Sequence, residues 1–205
     1  MGVIDRSGAA GGAASRHPCA AGLVIRPLLQ AHAAPWFSAI ERSRSAIQLW
    51  EEWPDAVSTL DAAVALLERL QADWHAGRTF SFGIFTDEGS VIGGVTVSNV
   101  LWDCRCADLG YWVEPGHGGK GIAAWAASHL VDFCFRVLRL QRLALVIRVD
   151  HLASQRVAQK LGAQFEGVAR KRIFHAQRAL DAKVYAITQE DDLPMAPSSL
   201  ACTGS

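Results

Sequence analysis

The sequence has no excess of charge of either sign and no disulfide framework. Its 20 lysine and arginine residues balance 20 aspartate and glutamate residues, so the total charge gives no sign of bulk binding to nucleic acid or to a membrane surface. Its 5 cysteines are an odd number at irregular spacing, which is typical of a protein in a reducing compartment. We therefore expect a cytoplasmic protein with no nucleic acid and no membrane among its partners.

Long apolar runs and a metal-ligand pattern are also missing. No segment approaches the length of a membrane span, and the glycine- and alanine-rich start of the chain lacks the apolar stretch of a signal peptide. Cys104 and Cys106 are two positions apart and would share one face of a strand. No further ligands stand at a suitable spacing beside them, so we expect no metal.

What the sequence does have is enough apolar material for one full core, since 50% of its 205 residues are hydrophobic. Composition predicts a flexible N-terminal segment over 1–20, a domain over 21–189 and a flexible C-terminal tail over 190–205. Within the domain, the periodicity predicts a strand, two helices, three strands, a helix, a strand, a helix and two strands. That order predicts an α+β fold, with a mixed, mostly antiparallel twisted sheet of about seven strands and about four helices.

The sequence pattern also predicts the bounds of the first helix and of the last two strands. The apolar spacing predicts a first helix from about Ala33 to Arg44. The last two strands are predicted at about Gln164–Phe174 and Asp181–Thr188, with a loop over His175–Leu180 between them.

The stretch from Leu109 to Ala124 is the most informative part of the chain. An apolar strand ends at Pro115, and an apolar helix begins at Ile122. Free N–H groups at a helix start favour an anion, so the stretch predicts a phosphate cradle, with a ligand-free connector as the equal alternative. Between strand and helix lie four glycines: Gly116, Gly118, Gly119 and Gly121.

Three kinds of phosphate cradle compete for this stretch. The nucleotide P-loop fails twice, because Glu114 stands at its first glycine position and Gly121 replaces its serine or threonine. The dinucleotide pattern is matched by Gly116, Gly118 and Gly121, and Asp150 stands near the position of a ribose-binding acid. However, three hairpin-connected strands precede this glycine loop, and that argues against a dinucleotide fold.

The third cradle explains more of the chain. The segment from Val113 to Ala123 resembles the acetyl-CoA pyrophosphate loop of the GNAT superfamily of N-acetyltransferases, and its consensus falls on 118–123. The segment from Arg148 to Gly167 resembles the second half of the RimJ/RimL-type subfamily, which acetylates protein N-termini. The Trp53-Pro54 connector and the element order also resemble that subfamily. Two positions depart from it: Gly118 stands for a usual Gln or Arg, and His151 for a usual Asn.

The resemblance implies a sheet whose central strands splay apart at an acyl-CoA site, and direct transfer of acetyl from acetyl-CoA to an amine. It implies no metal. The Val113 N–H is then the candidate donor to the thioester oxygen. The resemblance assigns cofactor binding to Tyr111, Trp112, Val113, Gly118, Gly119, Lys120, Gly121, Ile122, Ala123, His151 and Ser154.

The same resemblance gives two candidate catalytic residues. Ser154 stands where a hydroxyl protonates the departing thiolate, with a cap of the helix as the alternative. Glu166 matches a glutamate that acts as a base directly or through water, with a solvated strand residue as the alternative. On this basis Ser154→Ala and Glu166→Gln are both predicted to lower turnover while leaving CoA affinity largely intact.

The acceptor side is predicted at the connector that carries Trp50, Glu51 and Trp53. These residues would form a wall of the acceptor groove, or else the tryptophans would cap the core and the carboxylate would be solvated. A protein N-terminal α-amine is the favoured acceptor, with a small-molecule amine as the alternative. A non-catalytic CoA-binding module is a further alternative. The oligomeric state stays open, a homodimer included.

Overall fold

A computed structural model describes residues 22–189 of the chain. The terminal segments predicted over 1–20 and 190–205 lie outside these described residues. The four α-helices are α1 (Ala33–Gln48), α2 (Leu60–His75), α3 (Ile122–Arg136) and α4 (Leu152–Lys160). The seven strands are β1 (Leu23–Pro27), β2 (Phe80–Thr86), β3 (Val91–Leu101), β4 (Cys106–Val113), β5 (Arg142–Arg148), β6 (Gln164–His175) and β7 (Arg178–Thr188).

All seven strands form one sheet in the order β1-β2-β3-β4-β5-β7-β6. Every neighbouring pair is antiparallel except β4 and β5, which run parallel because α3 carries the chain from one to the other. The predicted α+β fold with a mixed, mostly antiparallel sheet is therefore confirmed. The wrong alternative, a dinucleotide fold, would have needed strands that alternate with helices before the glycine loop.

The β4–β5 pair is the feature that positions the site. Its register covers only Cys106–Asp108 against Arg142–Ala144, and beyond that point the two strands are no longer paired. On the other side β4 stays paired with β3 as far as Val113. The sheet is thus open along one edge of β4, which confirms the predicted splay.

The core lies in two layers, one on each face of the sheet. Period-two alternation in β2 sends Phe80, Phe82 and Ile84 into the cluster under α3, and Phe85 into the cluster under α1 and α2. Both clusters contain side chains that are fully removed from water, such as Val95 beneath α3. Burial of each such side chain stabilises the folded state by about 2 kcal/mol. The two helical layers therefore stabilise the open sheet from both of its faces.

Two predicted boundaries are wrong. Helix α1 continues to Gln48 rather than ending near Arg44, because Ile47 is still buried on its core face. The predicted loop over His175–Leu180 is a two-residue turn: β6 reaches His175, and β7 starts at Arg178. Both turn residues adopt positive φ without glycine, which is why the sequence carried no turn signal there.

Candidate active site

A cleft of about 1110 Å³ opens where β4 and β5 separate. It extends from the glycine loop at the start of α3, past the facing ends of the two strands, to the connector between α1 and α2. The cleft brings together most of the site residues predicted from sequence: Trp50, Glu51, Trp53, Tyr111, Trp112, Val113, Gly118, Gly119, Gly121, Ile122, Ala123, His151 and Ser154. Lys120 and Glu166 do not line it.

The glycine loop presents main-chain donors at one end of this cleft. After a short 3₁₀ turn over Pro115–His117, Gly119 and Gly121 adopt φ of 74° and 82°. Gly121 is the N-cap residue of α3, and no side chain in the described part of the protein caps that helix. Its first N–H groups are therefore free for an anion, and the helix dipole favours negative charge there. This arrangement fits the pyrophosphate of an acyl-CoA.

Two side chains near this loop are placed differently from expectation. The Lys120 ammonium bends back and donates to the Gly116 carbonyl at 3.2 Å, so its positive charge lies beside the glycine loop while the residue does not line the cleft. His117 was given no role from sequence, yet it lines the cleft. Its buried Nδ1 has no hydrogen-bond partner among residues 22–189. The Nδ1 also lies 3.9 Å from Glu114 Oε2, at the distance of an ion pair when the ring is protonated. A histidine between the glycines was the available signal, and this ring is a second candidate contact for a phosphate.

The free edge of β4 faces the middle of the cleft. The Glu114 N–H donates to the Ile92 carbonyl on β3 at 2.8 Å, and the register from Gly93 to Ser98 is regular. Since bonding direction alternates along an antiparallel strand, the Val113 and Tyr111 N–H groups point the other way, toward β5. There β5 is no longer paired, so both donors face the cleft.

A hydroxyl pair stands beside these donors. The Tyr111 hydroxyl lies 3.0 Å from the Ser154 Oγ and 3.0 Å from the Ser154 carbonyl oxygen, and its single proton can be donated to either of them. Burial raises the pKa of Tyr111 to about 12, against a smaller lowering by its hydrogen bond to Ser154. Tyr111 therefore keeps its proton at neutral pH, and the two hydroxyls form a chain that can deliver a proton into the cleft.

The connector between α1 and α2 forms the opposite end of the cleft. Trp50 is stacked against His151 with ring centroids 3.7 Å apart, and the Arg148 guanidinium lies over the Trp50 ring, 4.8 Å from its centroid. Arg148 also donates to the Leu49 carbonyl at 2.7 Å and pairs with Asp150 at 2.7 Å. The end of β5 thereby fixes the connector. Sequence reasoning missed Arg148, although an arginine closing an apolar strand was a visible signal.

His151 is neither a capping side chain nor a simple helix-start residue. It occupies the N-cap position of α4 without a side-chain capping bond. Burial, and then the charge of Arg148, lower its pKa. Its buried Nδ1 has no hydrogen-bond partner in the described region. The ring is therefore neutral at pH 7 and packs flat on Trp50.

Two adjacent glutamates in the connector have different environments. Glu51 lines the cleft, and although its carboxylate reaches solvent, the surrounding cleft wall raises its pKa by desolvation, opposed in part by His175. Glu52 instead accepts from the Ala176 N–H at 2.7 Å and so holds the β6–β7 turn against the connector. The His175 ring makes a second link, 3.0 Å from the Gln48 carbonyl.

Trp53 completes an aromatic wall. Its ring is stacked with Trp36 at 6.2 Å and tilted against Trp112 at 6.1 Å. Trp36, on α1, belongs to the core cluster, and all three rings line the cleft. Trp53 thus packs against the core and also faces the cleft, while its role in an acceptor groove stays a prediction.

Glu166 lies far from the splayed strands. It sits at a bulge in β6, where Gly167 has φ of 149°, and its carboxylate forms a two-pronged ion pair with Arg142, one contact of which is 2.6 Å. Arg142 is the residue of β5 that pairs with Cys106, at the closed end of the β4–β5 register. Hydrogen bonding to Arg142 lowers the pKa of Glu166. A base role for Glu166 has no geometric support.

Substituting Glu166 distinguishes a catalytic base from a residue that only forms an ion pair with Arg142. A cleft base lost in Glu166→Gln would lower turnover about 100-fold. From its position we expect kcat within about twofold of wild type, since substitutions away from a site change free energies by about 0.5 kcal/mol. Arg142→Gln is the matched control and should behave in the same way. Steady-state kinetics on both variants decides, and a large kcat loss in Glu166→Gln alone would restore the base role.

Two classes of feature are missing from the described residues. Over 22–189 no three side chains of the histidine, cysteine, aspartate and glutamate types come together in a group that could hold a metal ion. No helix in that range combines the length and the apolar character needed to cross a membrane.

Comparison with known proteins identifies the family. The family model described as Acetyltransferase (GNAT) domain matches residues 22–164. The probable N-acetyltransferase YjcK of Bacillus subtilis is 35% identical over 127 residues, which are 61% of this chain and 68% of that protein. The ribosomal-protein-serine acetyltransferase of Escherichia coli is 24% identical over 164 residues, 80% of this chain and 91% of the relative.

A solved structure agrees with these relatives. Mycobacterium smegmatis RimJ, in complex with CoA-disulfide, superposes with a TM-score of 0.76 at 26% identity, covering 84% of each chain. The RimJ/RimL-type resemblance of the glycine loop and of the segment after β5 is therefore confirmed. With a matching family model, several N-acetyltransferase relatives and the same open sheet, the chain belongs to the GNAT family of acetyltransferases.

Proposed function

We propose that this enzyme transfers the acetyl group of acetyl-CoA to a primary amine by direct attack, with the α-amine of a protein N-terminus as the favoured acceptor. The observation that carries the proposal is the continuity of the cleft, from the free N–H groups of the glycine loop to the carboxylate of Glu51. An acyl-CoA and an amine can enter it from opposite ends and meet beside β4. The thiols of Cys104, Cys106 and Cys134 are free, which fits the expected cytoplasmic location.

The cofactor end fits acetyl-CoA through main-chain donors. Gly119, Gly121 and the first turn of α3 would hold the pyrophosphate, and the unpaired edges of β4 and β5 would hold the pantetheine arm. The departure at Gly118 removes a side chain, not a main-chain donor. Acetyl-CoA supplies an activated thioester, and all other steps fall to residues of this chain.

The transfer itself needs three groups. The Val113 N–H, which points into the cleft, would donate to the thioester oxygen as negative charge develops on it. The Ser154 hydroxyl would protonate the departing thiolate, with Tyr111 behind it as the next donor in the chain. Glu51 would hold the acceptor ammonium and take its proton, so that the amine attacks in its neutral form.

The role of Glu51 predicts a pH dependence. Because desolvation by the cleft wall raises the pKa of Glu51 above its ordinary value of 4.5, the carboxylate becomes protonated at a higher pH than a fully hydrated glutamate. Activity should therefore fall, as the pH is lowered, through that raised pKa. In Glu51→Gln we expect kcat/KM for the amine to drop about tenfold, the value of one charge-assisted contact. The acidic limb should then move up to the pKa of the acceptor amine itself, about 8 for an α-amine, because the variant can use only amine that is already neutral.

The neighbouring Glu52 offers a matched control for that experiment. Its carboxylate holds the Ala176 N–H and does not line the cleft, so Glu52→Gln should keep the acidic limb of the pH–rate profile. If both glutamine variants keep the limb at its wild-type pH, some group other than Glu51 accepts the proton.

The closed β6–β7 turn favours a second candidate, a small-molecule amine. His175 and Ala176 contact the connector, and a turn held in this position would limit the room for a protein chain at the acceptor end of the cleft. The N-terminal α-amine is supported by the RimJ/RimL-type relatives, one of which is named as a ribosomal-protein-serine acetyltransferase.

A thiol-release assay across acceptors separates these candidates. The acceptors are a peptide with a free N-terminal serine, the same peptide with a blocked N-terminus and an internal lysine, a polyamine and a free amino acid. We expect the free-N-terminus peptide to have a kcat/KM at least about tenfold above the others, which corresponds to 1.4 kcal/mol. A polyamine or free amino acid as the best acceptor would replace the protein substrate with a small amine.

A further inference from the structure

A second chemical site lies on the turn between β3 and β4, outside the cleft. Cys104 is in this turn, and Cys106 is the first residue of β4. Their Sγ atoms are 2.9 Å apart. Arg105 between them has a φ of 51°, and this left-handed residue bends the chain so that both side chains come together on one side.

The two sulfurs are close enough for a covalent bond. A disulfide has an S–S length of about 2.0 Å, so the sulfurs must approach each other by about 0.9 Å from their 2.9 Å separation. Cys104 is exposed and lies at the end of a turn, where a movement of this size is small compared with ordinary loop motion. The turn therefore accommodates the oxidised pair.

From this geometry we infer that Cys104 and Cys106 form a reversible dithiol–disulfide site that is oxidised by low-molecular-weight disulfides. The Cys104 thiolate attacks one sulfur of the small disulfide, and one thiol leaves. Cys106 then loses its proton and attacks Cys104 Sγ, which releases the second thiol. The protein is oxidised by two electrons, the small disulfide is reduced by two, and the two cysteine protons end on the two released thiols.

The different environments of Cys104 and Cys106 determine which thiol attacks first. Cys104 is exposed and can meet a small disulfide directly, whereas Cys106 is half-buried within the strand pair. The pKa of Cys106 is raised, first by its hydrogen bond with Cys104 and then by burial. Arg142, its partner across β5, opposes that shift and stabilises the Cys106 thiolate during the second step. Cys104 is thus the attacking thiol, and Cys106 the resolving one.

This site is separate from acetyl transfer. Cys106 lies at the closed end of the β4–β5 register, five residues before Tyr111, or about 17 Å along an extended strand. The third described cysteine, Cys134, is buried within α3, and burial raises its pKa. It is therefore protected from the same exchange and serves as an internal reference.

The test uses the full chain with Cys19→Ser and Cys202→Ser, because these two cysteines lie outside the described residues. The protein is incubated with oxidised glutathione, then analysed by intact mass, thiol titration and peptide mapping. We expect the loss of two thiols, no retained glutathione, and a bond that maps to Cys104 and Cys106. Adding Cys106→Ser should instead trap one glutathione on Cys104.

Two results would overturn the inference. One is that the parent protein retains glutathione as the Cys106→Ser variant does, or loses no thiols at all. The other is that Cys104→Ser reacts as fast as the parent, since an unreactive, half-buried Cys106 should make it at least about tenfold slower. None of these readouts involves acetyl-CoA, so the outcome is independent of the proposed function.

Discussion

Removing the Ser154 hydroxyl is expected to lower kcat about 100-fold, the usual contribution of a positioned proton donor, while the dissociation constant of acetyl-CoA stays within about threefold. The reason is that the hydroxyl would act on the departing thiolate, a charge that exists only as the reaction proceeds. The substitution is Ser154→Ala, which leaves the helix α4 intact because alanine is a good helix former. Steady-state kinetics together with calorimetric binding of acetyl-CoA measures both quantities.

Tyr111→Phe provides the matched comparison. Its hydroxyl lies 3.0 Å from Ser154 and remains protonated, with a pKa of about 12. If the two hydroxyls act as one chain, the double variant should be no slower than Ser154→Ala by more than about threefold, because a coupled pair is not additive. Wild-type turnover in Ser154→Ala would eliminate this serine as the proton donor and leave it a structural residue of α4.

Replacing Gly119 with aspartate is expected to weaken acetyl-CoA binding strongly. Gly119 has a positive φ, a conformation that aspartate and asparagine tolerate better than other residues, and an added Cβ would meet nothing within 4 Å. A negative charge about 5 Å from the pyrophosphate costs about 2 kcal/mol in a partly solvated site, which is about 30-fold in the dissociation constant.

Gly119→Asn is the neutral control of the same shape. It should bind acetyl-CoA within about threefold of wild type, since it adds no charge. The difference between the two variants should shrink as salt is added, because salt screens a surface charge. Equal affinities for the aspartate and asparagine variants at low salt would mean that this loop does not hold the phosphates.

Much of the fold could be predicted from sequence because its signals are local. The spacing of apolar residues over Leu60–His75 and the alternation in β2 each fix an element without reference to the rest of the chain. The β6–β7 turn could not be predicted, since Ala176 and Gln177 carry no turn preference and are held there by contacts with the distant connector. Tertiary contacts, not local chemistry, decide that conformation.

The candidate site also contains some residues that local motifs place and others that only tertiary contacts place. The glycine loop and Ser154 lie in continuous motifs, so their placement at the cleft followed from sequence. Glu166 also lies in a motif, but in the structure it forms an ion pair with Arg142, 24 positions away. No sequence pattern predicts that contact. The different environments of Glu51 and Glu52 likewise depend on which of them faces the cleft. Two adjacent residues of the same type cannot be given different roles from the sequence alone, because only the fold shows which one faces the cleft.

The most direct test of the proposed transfer is a single turnover with equimolar enzyme, acetyl-CoA and an acceptor peptide with a free N-terminus. The reaction is quenched at intervals, and intact mass spectrometry is applied to both the enzyme and the peptide. Direct attack predicts that the acetyl group appears on the peptide α-amine, at the rate of thiol release, and at no time on the enzyme. An acetylated enzyme intermediate, or bound acetyl-CoA that is never consumed with any amine, would contradict it.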